Sequence, residues 1–265
     1  MATRVIVGGA TGWVGRALVE AVAARDDLEL AGAVARGAAG QDAGTAIGLP
    51  ALGVTISGSI EEALKAPSDV LVDYTKPDIV KAHILAAIGA GRHAVVGTSG
   101  LVAADYAEID AAAKAAGVGV LAAGNFSVTA TLLQRFALEA ARYVPDVEVI
   151  DYSKPTKPDA PSGTGVELAE KLSEVRMPST ALPVSEVGGV REARGGTLGS
   201  VQVHSVRMPG YVLSCEALFG LPNERLSIRH DAGGGADPYV AGTLLAATRV
   251  ASFTGLKRGL DAIMD

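Results

Sequence analysis

The chain has 265 residues, 49% hydrophobic, 4% aromatic and 20% charged, with 33 glycines and a formal net charge of −6. This composition excludes a disordered or fibrous chain, and the acidic balance argues against nucleic acid or an anionic membrane surface as the main partner. One cysteine, Cys215, leaves no internal disulfide or cysteine-cluster metal site; with no apolar run long enough to span a bilayer, the expected setting is the cytoplasm.

Residues 4–7 form a β-branched run that ends in Gly8-Gly9-Ala10-Thr11-Gly12-Trp13-Val14-Gly15, and residues 16–24 then show helical periodicity with Leu18, Val19 and Val22 on one side. Gly9, Gly12 and Gly15 are spaced G-x-x-G-x-x-G between a strand and a helix. Such a turn lets backbone approach a pyrophosphate at a helix N-terminus, and its last glycine lets the helix pack closely on the strand. Thr11, Trp13 and Val14 belong to the same turn, and Trp13 either covers a cofactor or packs on the surface. The second strand, 28–34, points to the adenosine ribose, where an NAD-specific site would carry an acid. Ala35-Arg36 stands there instead, so NADPH is preferred and NADH possible; Arg36 can equally be a surface residue.

Strands at 54–56, 70–74, 93–96 and 118–121 alternate with helices at 77–90 and 103–115, which predicts an α/β, Rossmann-like doubly wound parallel sheet. Asp73-Tyr74-Thr75-Lys76-Pro77 and Gly97-Thr98-Ser99-Gly100 lie at strand carboxyl ends and are expected to border the nicotinamide, ordinary turn chemistry being the alternative. Gly124-Asn125-Phe126-Ser127 is a hinge that adds Asn125 and Phe126 to the cofactor set, with Ser127 capping a helix over 129–143.

Beyond Pro145, strands at 147–151, 199–207, 210–219 and 225–230 alternate in an antiparallel style. The segment 176–196 lacks periodicity and reads as flexible or lid-like, and helices at 238–253 and 256–264 return to the first domain. The domain limits are 1–124, 125–235 and 236–265. Within the second domain, Lys157-Pro158-Asp159-Ala160-Pro161-Ser162-Gly163-Thr164 is held extended by two prolines and then opens a helix. Hydroxyls and unpaired N–H groups meet there at a positive helix end, a seat for a carboxylate or phosphate, with Lys157 upstream. An ordinary N-cap beside a solvated lysine is the other reading.

Taken together, the N-terminal glycine turn, Asp73-Tyr74-Thr75, Gly97-Thr98-Ser99-Gly100, Asn125-Phe126-Ser127, the 157–164 run and His204-Ser205-Val206-Arg207 resemble the 4-hydroxy-tetrahydrodipicolinate reductase (dihydrodipicolinate reductase) family of bacterial lysine biosynthesis. The resemblance covers essentially the whole chain. It implies a dinucleotide-binding domain and a smaller α+β domain whose open mixed sheet builds a homotetramer. It also implies hydride delivery from NADPH or NADH to the C=N bond of a cyclic imine carboxylate. Lys157 corresponds to the family's catalytic lysine, and Ser162, Gly163, Thr164 and Ser99 to its substrate contacts. One departure stands out. Ser153 and Lys154 occupy the positions of the family's histidine pair, whose first member is held to be the general acid, and a serine hydroxyl cannot act as imidazolium does. Lys157, Ser153 and Tyr152 are therefore the catalytic candidates, and Lys154 a substrate contact or substitute proton source. The alternatives are a reductase of a different cyclic imine and a non-catalytic nucleotide-binding paralogue. Four scattered histidines and no acidic cluster at ligand spacing leave no metal site expected.

Overall fold

The computed structural model describes residues 2–178 and 182–264. By internal contacts the chain divides into one unit of Met1–Val128 with Gly235–Asp265 and another of Thr129–Gly234. In chain order the first unit contains β1 (Thr3–Gly8), α1 (Trp13–Ala23), β2 (Leu28–Val34), β3 (Ile56–Ser57), α2 (Ile60–Ala63), β4 (Val70–Asp73), α3 (Val80–Gly89), β5 (His93–Val96), α4 (Ala103–Ala116) and β6 (Gly119–Ala122). Helix α5 (Val128–Ala141) enters the second unit, which continues with β7 (Asp146–Ser153), α6 (Gly163–Val175), β8 (Gly196–Leu198), β9 (Val201–Arg207), β10 (Leu213–Leu221) and β11 (Glu224–Ala232). Helix α7 (Asp237–Arg249) and β12 (Gly255–Arg258) belong again to the first unit.

The first unit's sheet has the order β12-β6-β5-β4-β1-β2-β3, and every pairing is parallel. Its central strands β1, β4, β5 and β6 are largely apolar because both faces are covered. Val5 and Val7 pack with Leu18, Val19 and Leu244 on one face, while Ile6 packs with Ile84 and Ile109 on the other. The order reverses between β1 and β4, the position at which open α/β sheets bind their ligands.

In the second unit the order is β11-β10-β7-β9-β8, antiparallel except for the parallel β7–β9 pair. Helices α5 and α6 cover one face through Leu133, Ala137, Leu168 and Leu172, packed on Val149, Val203 and Phe219.

Three expectations change. Residues 256–264 are not a helix: β12 adds to the sheet edge beside β6, and a short 3-10 turn, Leu260–Ile263, follows. Gly255, at φ +88°, interrupts any helical continuation from α7. The expected strand 199–207 is present as β9 but starts at Val201, because Gly199 turns the chain at φ +59° from an additional short strand, β8. In the segment 176–196, residues 179–181 lie outside the described residues, and Val184–Glu186 and Arg191–Arg194 form 3-10 turns. Among the described residues no helix is long and apolar enough to cross a membrane.

Candidate active site

At the β1/β4 crevice each glycine has a steric reason. Gly9 adopts φ +78°, and a Cβ on it would fall 2.2 Å from the Tyr74 carbonyl oxygen; one on Gly15 would fall 2.0 Å from that of Gly9. The turn is thus folded on itself and on the end of β4. Gly12 is less confined, its Cβ meeting only the Gly9 oxygen at 3.0 Å. A cavity of about 400 Å³ opens here, lined by Gly9, Thr11, Gly12, Arg36, Tyr74 and Thr75. Ser59, Glu61, Lys76 and His83 also stand in its wall, and of these the sequence had pointed only to Lys76. The glycine turn, the end of β2 and the cavity volume fit the adenosine-diphosphate half of a nicotinamide dinucleotide.

Other expected cofactor residues are placed differently. Trp13 is 63% exposed, its ring edge-on to Tyr239 at 5.7 Å, and it is no part of the cavity wall. Val14 packs against the core, and Gly15 is buried in α1. Phe126, 1% exposed, is a core side chain tilted against the Tyr74 ring at 6.1 Å, so it offers no ring surface to a cofactor. Asn125 turns its Oδ1 to accept the Ser127 N–H at 2.8 Å. The Tyr74 ring covers Gly97, where a Cβ would lie 2.2 Å from Cζ, and its hydroxyl pairs with Thr243 at 2.7 Å. Burial pushes that phenol above its ordinary range.

Asp73 ties the two loops together. It is fully buried and accepts from the Thr75 N–H and hydroxyl (3.1 and 2.7 Å), from the Thr98 hydroxyl (2.7 Å) and from His83 Nδ1 (2.9 Å). Thr98 Oγ1 in turn accepts the Thr75 N–H at 2.7 Å, and Ser99 stands exposed beyond it. Burial raises the Asp73 carboxyl, but the bonds from His83, Thr75 and Thr98 outweigh it and hold the group below its usual range.

In the second unit, strand alternation sorts the catalytic candidates. Val147, Val149, Asp151 and Ser153 are buried on the helix-covered face of β7; Glu148, Ile150 and Tyr152 take the opposite one. Tyr152 therefore does not share a face with the 157–164 turn's anchor at Asp151. Its hydroxyl donates to Glu216 at 3.0 Å, Arg229 stacks over its ring, and desolvation with Glu216 pushes the phenol up to about 12. Ser153 is 1% exposed, and its hydroxyl donates to the Val212 carbonyl at 2.7 Å, so it is a sheet residue and not an acid.

Lys157 pairs with Asp159 at 2.8 Å, both side chains partly exposed. An ion pair so exposed is weak, so the ammonium is released at little cost. Lys154 is exposed. Ser162 caps α6 through its bond from the Gly165 N–H at 3.3 Å, but its own N–H (2.8 Å) and hydroxyl both go to Asp151. The N–H groups of Gly163 and Thr164 begin the helix and have no intrahelical acceptor. Sequence reasoning missed Asp151. The signal was present: an acid on the apolar face of Val147-x-Val149-x-Asp151, opposite Ser205 on the neighbouring strand.

A parallel sheet with a glycine turn at its switch point, followed by a second unit that presents a lysine and free helix-start amides, defines a dinucleotide-dependent oxidoreductase. Comparisons narrow the class. Residues 3–126 match the family model for the dihydrodipicolinate reductase N-terminus, and residues 129–262 that for its C-terminus. The 4-hydroxy-tetrahydrodipicolinate reductase of Desulfitobacterium hafniense is 37% identical over 264 residues, covering 99% of this chain and 98% of its own. That of Synechococcus elongatus is 39% identical over 268 residues, covering 98% of each. The dipicolinate-bound dihydrodipicolinate reductase of Paenisporosarcina sp. TG-14 superposes with a TM-score of 0.90 at 29% identity, covering 100% of both chains. An amine dehydrogenase from Mycobacterium smegmatis shares the fold at 17% identity with a TM-score of 0.65. The chain belongs to the dihydrodipicolinate reductase family and is an NAD(P)H-dependent oxidoreductase.

Proposed function

We propose that the protein reduces 4-hydroxy-tetrahydrodipicolinate to tetrahydrodipicolinate. The observation that carries this reading is the 157–164 turn, which places the free amides of Gly163 and Thr164 at the positive end of α6, on the same segment as a readily released Lys157. Helix-start amides of this kind suit a substrate carboxylate. Over the whole reaction the substrate loses its 4-hydroxyl as water and gains a hydride and a proton. The bound nicotinamide supplies the hydride. Gly9, Thr11, Gly12 and Thr75 would hold the dinucleotide, with Asp73 fixing Thr75 and Thr98. Lys157, or a water it orders, delivers the proton to nitrogen, and Lys154 adds positive charge facing a dicarboxylate. The bland geometry at Ser153 favours a second reading, a reductase of a different cyclic imine, since no acid stands where the family's histidine would.

For the cofactor we favour NADPH, because Arg36 lines the cavity beyond β2 and a guanidinium suits a 2′-phosphate. Glu61 on the same wall is the residue that could serve NADH. Arg36→Ala should raise the KM for NADPH about tenfold while that for NADH stays within about twofold; equal effects on both would remove the preference. We also place a homotetramer contact on the second unit's helix-free sheet face, which carries Ile150, Tyr152, Glu216 and Arg229, and the setting in the cytoplasm with its dinucleotide pool. Steady-state reduction of freshly generated substrate, run beside other cyclic imines, tests the central reading.

A further inference from the structure

Asp151 is 0% exposed, at the end of β7 between Ser205 on β9 and Cys215 on β10. A carboxylate so placed is costly unless its oxygens are met by donors. Here they are: the Ser162 N–H at 2.8 Å and its hydroxyl, the Ser205 hydroxyl at 3.3 Å, and Arg207 Nη2 at 2.7 Å. Arg207 Nη2 also donates to the Asp159 carbonyl at 2.8 Å, and its Nη1 to the Asp151 and Val206 carbonyls at 3.3 and 3.0 Å. Asp151 therefore grips both ends of the short segment from Asp159 to Ser162, one directly and one through Arg207. Helix α6 begins on top of it: a Cβ on Gly165 would lie 3.2 Å from the Asp151 Cβ.

Apolar side chains could anchor the helix as firmly, since a buried ion pair is often no more stabilising than well-packed hydrocarbon. What a carboxylate adds is direction, because hydrogen bonds fix the angle at which the chain enters α6. We propose that Asp151, acting with Arg207, is a positioning residue: it aims the Gly163 and Thr164 amides at the substrate carboxylate. The proposal rests on the carboxylate-binding role assigned above to that turn.

The test uses the full-length protein and the variants Asp151→Asn and Arg207→Lys. Dipicolinate binding is measured by calorimetry, dinucleotide binding through the fluorescence of Trp13, the single tryptophan, and amide hydrogen exchange over residues 159–165. Asp151→Asn should weaken dipicolinate about tenfold and speed exchange in the turn, with dinucleotide affinity within about twofold of the parent. Arg207→Lys keeps the charge but loses the second prong to Asp159, and should show a smaller effect of the same pattern. Unchanged exchange in the turn, or dipicolinate and dinucleotide affinities falling together in both variants, would overturn the proposal. A parent protein that binds no dipicolinate, while the exchange response appears, would instead overturn the substrate reading and leave Asp151's hold on the turn established.

Discussion

Replacing Lys157 and Ser153 by alanine should separate two residues that lie four apart in sequence but differ in physical role. Lys157 is partly exposed and held only by a weak ion pair, on the segment that opens α6. Lys157→Ala should lower kcat about 100-fold or more while dinucleotide affinity is unchanged, the size expected for a lost proton donor. Ser153→Ala should leave kcat within about twofold and cost about 1 kcal/mol of stability, because its hydroxyl does no more than satisfy the Val212 carbonyl. A large kcat loss in Ser153→Ala with an intact fold would restore it as a catalytic group. Residue identity alone could not make this distinction. Alignment with the family's histidine put Ser153 in the site, whereas the period of the strand buries it and turns Tyr152 to the other face.

At the scale of elements, the strand-turn-helix at the N-terminus was readable because every local signal agreed: a β-branched run, three spaced glycines, then Leu18, Val19 and Val22 on one helix face. The reason for the spacing was only half readable. Gly9 and Gly15 are needed for contacts of chain with chain, at the Tyr74 and Gly9 carbonyls. Gly15→Ala should therefore push α1 off the turn and lower both thermal stability and dinucleotide affinity, although alanine is the better helix former. An unaltered midpoint and affinity would show that the turn relaxes at no cost. The C-terminal strand β12 was not legible, since four residues with two basic side chains carry no strand pattern and only the free edge of β6 makes them one. The buried carboxylates at Asp73 and Asp151 were legible by position, Asp73 at a strand end and Asp151 on an apolar strand face, but not by partner. Their partners come from residues 2 to 56 positions away, and no local pattern announces such pairing.

Across the whole molecule, the acid side of stability should follow the paired carboxylates. Asp73 is held below its usual range in the folded state, so it binds its proton less readily there than in the unfolded chain. Its contribution is fully present above the unfolded value of about 4 and is lost as pH falls through the folded value. Glu148 behaves in the same sense: burial opposes ionisation, but Arg194 and His204 outweigh it. The melting temperature should therefore fall as pH drops below about 4, and Asp73→Asn should be less stable at neutral pH with a shallower acid limb. A parallel acid limb in Asp73→Asn would mean that other groups govern the transition. The central claim is the reaction itself, and NADPH oxidation by purified protein with freshly generated 4-hydroxy-tetrahydrodipicolinate tests it most directly. Robust turnover, lowered about 100-fold or more in Lys157→Ala, is the predicted result, and it would show that the chemistry proceeds with Ser153 and Lys154 in place of the histidine pair. Turnover only of other cyclic imines would contradict the account, leaving a shared scaffold with a different substrate.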